Sequence, residues 1–403
     1  MKTKHAFSWL LAVFFILSSS QAFAQEGIRL GNLKVIPGIE GQTVYDDNIF
    51  MKNGSNDVDQ KKVSDWIYHV KPSLLLNYTM PERGFINLGY RGDWAFYDDN
   101  SGNNWKNNQG VFAVDYRSPG GLIIGIDNLY VRAEDPYGSP DQYNIGRVTK
   151  RWNNDLKTKV GYLFSERLRS FVYYNFYKQR YGSDLDASQD YYDNEVGIGM
   201  EMKFLPKTWG FVRYHYGERS FDSDLISSNF RGGSDWHKAS AGLTWDAMAK
   251  LTGELNFGYQ WKTYDNTATS AGILRQDVNT WIAATVLNYK PLETTTISLN
   301  VVRATRDSAA DTGEYFNDTS VGLNLQQIFL RRFTFKVGGM YGKNDYNTNN
   351  REDDNYQANA GLEYKPKDWL GLGVEYWYRE KSSNVVENEF KDNQFIVFLK
   401  LMY

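Results

Sequence analysis

Outside the first two dozen residues the chain has three histidines, His69, His215 and His237, and these are where catalysis would be sought. A hydrolase needs a nucleophile, a base and an orienting group within reach of one another. His237 is near a loop and has such residue types around it, in Ser234, Asp235 and Ser240. A histidine near a membrane surface is more often a plain interfacial residue, so these four are expected to be non-catalytic. A second candidate is Asn53-x-Ser55-x-Asp57-x-Asp59, which spaces oxygen ligands as calcium loops do. It lacks the fixed glycine and the distal glutamate of a complete loop, and Asn/Asp-rich outer loops have the same composition. There is no P-loop, dinucleotide fingerprint or zinc motif. With no cysteine there is no disulfide framework, thiolate metal site, cysteine nucleophile or lipoprotein anchor. The reading is of no enzyme, no cofactor and no metal.

The remaining polar chemistry is spread along the chain at every second position. Arg91 and Asp93, Lys157 and Lys159, Glu201, and Arg213 and His215 alternate with apolar or aromatic neighbours. So do Glu254, Lys262, Lys336, Glu363, Glu375 and Arg379. These thirteen are the candidates to line a water-filled pore. Both signs occur, with bases somewhat ahead. A mildly basic lumen favours anionic or hydroxyl-rich solutes. For any single residue, pairing across strands that merely stiffens a wall is an equal reading.

The elements behind this alternation are strands. Tyr356, Ala358, Ala360, Leu362 and Tyr364 occupy alternate positions, with Gln357, Asn359, Gly361 and Glu363 between. A helical period started at Tyr356 meets Asn359 and Glu363. Val196, Ile198, Met200, Met202 and Phe204 give the same period against Glu195, Gly197, Gly199, Glu201 and Lys203. About eighteen such segments fit between residues 33 and 403. They include 33–46, 109–117, 208–221, 236–249, 251–264 and 333–346, each long enough for an outer-membrane strand. Connections alternate between short ones such as 80–83, 118–120 and 205–207 and long polar ones such as 47–62, 134–152 and 222–235. That pattern, with an even strand count, belongs to a transmembrane barrel with tight periplasmic turns and larger outer loops. The fold class is all-β, an antiparallel up-and-down transmembrane barrel.

Composition agrees. The chain has 403 residues and 16% aromatics, with Trp 12, Tyr 29, Phe 23 and only 9 Pro. Mean hydropathy is negative, which excludes a bundle of membrane helices. Net charge is -3 and gives no reason to expect nucleic acid. Lys2 and Lys4, the apolar run 10–17 and Ala22-Phe23-Ala24 form a signal peptide, residues 1–24, which leaves 25–403 as the barrel. Apolar-face aromatics gather at strand ends: Tyr356 and Tyr364, Trp281 and Tyr289, Tyr192 and Phe204. Phe395, Val397, Leu399, Leu401 and Tyr403 alternate up to a terminal aromatic residue, the shape of an outer-membrane assembly signal, without the glycine often found there. The expected setting is outer-membrane lipid, reached through the barrel-assembly machinery.

At the start of the barrel, Gly27-Ile28-Arg29-Leu30-Gly31-Asn32-Leu33-Lys34-Val35-Ile36-Pro37 leads into Tyr45-Asp46-Asp47-Asn48-Ile49-Phe50. Residues 64–74, Ser-Asp-Trp-Ile-Tyr-His-Val-Lys-Pro-Ser-Leu, follow. This stretch resembles the outer-membrane beta-barrel porin 2 family, whose members include EpsL-like proteins of exopolysaccharide loci. The resemblance implies an outer-membrane barrel, often encoded with polysaccharide export machinery, and a periplasmic export-protein partner. It assigns no functional residue, and the role of Tyr45–Phe50 stays open. The leading expectation is an exit conduit for a secreted polysaccharide, with inward Trp377 or Tyr214 stacking on sugar rings. The alternatives are a diffusion porin, with 134–152 as an inward loop, and a structural or adhesion barrel.

Overall fold

The computed structural model describes residues 27–55, 57, 60–136, 148–221, 233–245, 250–265, 276–307, 315–346 and 350–403. The expected signal segment 1–24, most of loop 134–152 and Asp59 lie outside these residues.

Alternating side chains with few interior prolines give strands, and the strands run β1 (Ile28–Leu30), β2 (Leu33–Asp46), β3 (Asp65–Met80), β4 (Gly84–Tyr97), β5 (Trp105–Arg117) and β6 (Leu122–Asp135). Next come β7 (Thr149–Ser165), β8 (Leu168–Tyr181), β9 (Tyr191–Leu205), β10 (Thr208–Phe221), β11 (Ser234–Trp245), β12 (Leu251–Tyr264) and β13 (Val278–Leu292). The chain ends with β14 (Thr295–Asp307), β15 (Tyr315–Phe329), β16 (Phe333–Tyr346), β17 (Glu352–Lys367), β18 (Leu370–Ser383) and β19 (Phe390–Met402). Each of β2 to β19 pairs antiparallel with its sequence neighbours, and β19 returns to β2, Phe395 opposite Tyr45 and Leu401 opposite Ile39. Eighteen strands therefore close a ring. Closure is what lets a sheet sit in lipid, because an open edge would leave backbone N–H and C=O groups unpaired in hydrocarbon.

Segments 33–46, 208–221, 251–264 and 333–346 are strands over those same residues. β5 starts four residues before the expected 109, because Trp105 and Lys106 go on pairing with Ala95 and Trp94 although Asn107 and Asn108 blur the alternation. β11 begins at Ser234 rather than 236. The short β1 was not anticipated; it folds back on β2 through Gly31 at φ 63°. At one end of the ring the strands join through short turns. In the turn after β3, Gly84 has φ 132°, and a Cβ there would stand 1.8 Å from the Asp115 carbonyl oxygen, so only glycine fits. The described long connections lie at the other end, and among the described residues they carry the 3₁₀ turns Ser101–Asn103, Asp184–Gln189 and Val386–Asn388.

Candidate functional site

The two faces of β9 show how sequence builds a wall between oil and water. Val196, Ile198, Met200 and Met202 are each more than half exposed, a continuous apolar row that only lipid would cover. Trp281, Tyr289, Tyr356 and Phe204 are exposed in the same way at strand ends, where aromatic girdles sit. The opposite face of β9 carries Glu195 and Glu201 with Gly197 and Gly199. Those glycines let long polar side chains of β10 lie flat against the wall. A Cβ on Gly197 would come within 2.4 Å of His215 Nδ1, and one on Gly199 within 3.0 Å of Arg213 Cγ.

Charges on the inner wall form ladders across strands. Arg169 Nε donates to Glu201 Oε2 at 2.8 Å, and Arg213 Nη2 to Glu201 Oε1 at 3.1 Å. Arg213 also grips Glu254 with both terminal nitrogens, at 2.8 and 2.9 Å, while its guanidinium lies 3.8 Å over the Phe211 ring. His215 Nδ1 stands 3.2 Å from Glu195 Oε1, and Lys238 and the Trp236 indole donate to the other oxygen at 2.8 Å. Lys157 pairs with Asp155 at 3.3 Å. Asp93 takes His69 at 2.8 Å and Lys71 at 3.6 Å. Towards the long loops, Asp307 accepts from Arg219, Lys262 and Tyr264, and Arg219 also forks Asp193 at 2.7 Å from both Nε and Nη2.

Two of the cavities formed by the described residues lie inside the ring. The larger, about 2050 Å³, occupies the short-turn half and is bordered by residues from all eighteen barrel strands. Arg91, Lys159, Glu254, Lys336, Glu363 and Glu375 border it, together with Trp377, whose indole donates to Glu375 Oε2 at 3.3 Å. The smaller, about 330 Å³, lies against β9 to β14 nearer the long loops, and Arg213, His215 and Lys262 border it. Arg379 sits at the seam described below. Tyr214 is a correction: Arg213 and His215 take the inner face, so Tyr214 points out, 43% exposed, with its hydroxyl 2.5 Å from His237 Nδ1. Residues missed at the sequence level include Arg169, Lys290, Lys400 and Trp209, all on the large cavity. Lys400 alternates with Leu399 and Leu401, so parity alone marks it.

The Tyr45–Phe50 motif has a clear position. It caps the seam where the last strand meets the first. Asn393 donates its backbone N–H and side-chain amide to the two oxygens of Asp47, at 2.7 and 2.6 Å. Gln394 Nε2 donates to Asp46 Oδ2 at 2.7 Å, and Asp46 Oδ1 receives the Asn48 backbone N–H at 2.8 Å. Asn48 is fully buried; its amide bridges the carbonyls of Lys52 and Lys391, at 2.7 and 2.9 Å. Arg379 Nε donates to the buried Asp392 at 2.6 Å and lies 3.8 Å from Asp46. Asp46, Asp47 and Asp392 are the one acidic trio among the described residues with ligand atoms within 4.8 Å, and Arg379 and the neighbouring amides supply their counter-dipoles.

The hydrolytic arrangement does not form. Ser240 borders the smaller cavity, while His237 lies on the outer face against Tyr214 and Tyr216. In the calcium-like stretch the Asn53 oxygen is occupied by the Ser55 backbone N–H at 2.8 Å.

A search among curated proteins finds no match. Among solved structures the chain is similar to a BenF-like porin from Pseudomonas fluorescens Pf-5, at 10% identity and TM-score 0.46, covering 92% of this chain and 99% of that one. It is similar to the outer membrane protein OpdK from Pseudomonas aeruginosa, at 12% identity and TM-score 0.44, covering 92% and 99%. It is also similar to OccAB4 of Acinetobacter baumannii, at 12% identity and TM-score 0.43, covering 92% and 98%. The sequence profile described as Putative beta-barrel porin 2 matches residues 166–403, and so begins beyond the residue 27–74 stretch on which the resemblance rests. That match spans more than half of a chain whose eighteen strands close into an outer-membrane barrel: the chain belongs to the Putative beta-barrel porin 2 family.

Proposed function

We propose that this channel is passive and carries hydrophilic solute across the outer membrane, serving as an exit conduit for an exported polysaccharide. One observation carries the reading: a single cavity touches every strand of the ring, as expected of a barrel of sixteen to eighteen strands, which is wide enough to hold water. Its wall suits a hydroxyl-rich chain. Asn77, Asn87, Asn288, Asn324 and Asn359 present amides that replace lost hydration in either direction, as donor or acceptor. Trp377 adds a flat apolar face for sugar rings. Nothing here requires a covalent step; each polar contact is exchanged for the next as the chain moves. Cleavage of residues 1–24 and a periplasmic export protein at the short-turn mouth complete the reading.

A diffusion porin for small polar solutes fits the same cavity. Deleting the gene separates the two. Polymer retained in the periplasm with normal uptake of small solutes supports the conduit. Normal surface polymer with slowed uptake supports the porin and ends the export reading.

A further inference from the structure

The charges of the ring are not evenly distributed along its axis. At the loop end, acids sit on bases: the buried Asp135 on Arg151, Asp318 on Arg306, Asp353 on Arg351 and Asp392 on Arg379, and the half-buried Asp307 on Arg219 and Lys262. The turn end differs. The large cavity and its mouth are bordered by twelve Lys or Arg and only five Asp or Glu. Some of these bases are held loosely or not at all by acids. Lys336 is 3.7 Å from Glu363 and 3.8 Å from Glu375, beyond hydrogen-bond length. Arg91 and Lys290 have no carboxylate partner among the described residues. Lys159 makes no ion pair within 4 Å among the described residues; it feels the charge of Asp127 and lies 5.9 Å from the Phe171 ring. The excess stands out because the whole chain is net acidic at -3.

From this we infer that the turn-side vestibule is a binding site for oxyanions, and that the solute carries carboxylate or phosphate groups. This rests on the channel reading above and names the solute class for it. Bases converging in a low-dielectric cleft focus a positive potential outward and raise the local concentration of anions. Guanidinium and ammonium groups without internal partners give their hydrogen bonds to a ligand instead. The excess faces the periplasm, the side from which an exported polymer arrives. The loop-end bases named above all have carboxylate partners, so among the described residues the excess of positive charge lies on the entry side.

The test uses the purified full chain. Planar bilayers under a KCl gradient should give a reversal potential favouring chloride, and the triple variant Arg91→Glu, Lys159→Glu, Lys290→Glu should abolish or reverse it. Titration calorimetry needs no open pore. Trigalacturonate and tripolyphosphate should bind about tenfold or more tighter than neutral maltotriose, and that preference should fade as salt is raised. Binding of one anion and not the other fixes carboxylate or phosphate as the group read. A triple variant that fails to show folded gel migration is replaced by Arg91→Gln, which should weaken anion binding in the same direction. Anion binding without conductance would uphold this inference while removing the channel reading. Cation preference in the wild type, or equal binding of maltotriose and the anions, would overturn it.

Discussion

Asp307 shows how much one half-buried carboxylate does in this wall. It receives two cations and a tyrosine hydroxyl, and through Arg219 it is tied to Asp193 and to the Tyr191 ring 4.0 Å away. Replacing it with alanine leaves Arg219 and Lys262 together without their shared counter-charge. Breaking a buried pair by removing one partner costs about 3–5 kcal/mol. The expected result is a lowered urea midpoint of the detergent-folded barrel, with the conservative Asp307→Asn losing less. An unchanged midpoint would show the network to be dispensable. None of these partners was foreseeable from spacing. Parity assigns Lys262 to the inner face, but pairing with Asp307, 45 residues away, depends on axial height, which sequence does not encode locally. Arg91 and Glu375 were legible by parity; their different fates, unpaired and paired, were not. Tyr214 was misplaced because Arg213, Tyr214, His215 and Tyr216 are all plausible on a polar face.

For a single strand, the alternation was almost wholly legible, since a period of two with apolar residues on one side has one physical solution in lipid. β10, β12 and β16 are found where the pattern puts them. Where the pattern weakens, as at Asn107 and Asn108, ladder pairing with β4 extends the strand beyond what side chains announce. The same logic predicts how the two faces of β9 tolerate charge. Ile198 is 63% exposed on the apolar face. Ile198→Arg should destabilise the bilayer-folded barrel by about 2–4 kcal/mol if the site lies near the midplane, less nearer an interface. The same substitution should cost little in detergent micelles, which let the side chain reach water. Equal cost in both media would mean that this face does not meet lipid.

At the scale of the whole ring, every strand's backbone depends on a single non-local contact, β19 against β2. The chain must bring residues near 40 and 400 together before any edge is satisfied, and loop-closure entropy opposes this until the pairing forms. The motif at Tyr45–Phe50 sits on that contact, with Asp46, Asp47 and Asn48 bonding to the β19 stretch 391–394. Its role was opaque in sequence because its partners lie more than 340 residues away. Removing 399–403 deletes the pairs of Leu399, Lys400, Leu401 and Met402 with Gly41, Glu40, Ile39 and Gly38, and it also removes the terminal aromatic residue expected to address the assembly machinery. Two environments separate these effects. If closure is the dominant loss, the truncated chain fails to give a heat-modifiable folded band even when refolded from urea into detergent, where no machinery exists. If Tyr403 serves only as an address, Tyr403→Ala and the truncation both refold in detergent and are both missing from the cell's outer membrane. The ring demands the first outcome for the truncation and normal refolding for Tyr403→Ala, whose side chain is exposed and whose backbone bond to the Pro37 carbonyl, at 3.1 Å, survives the substitution.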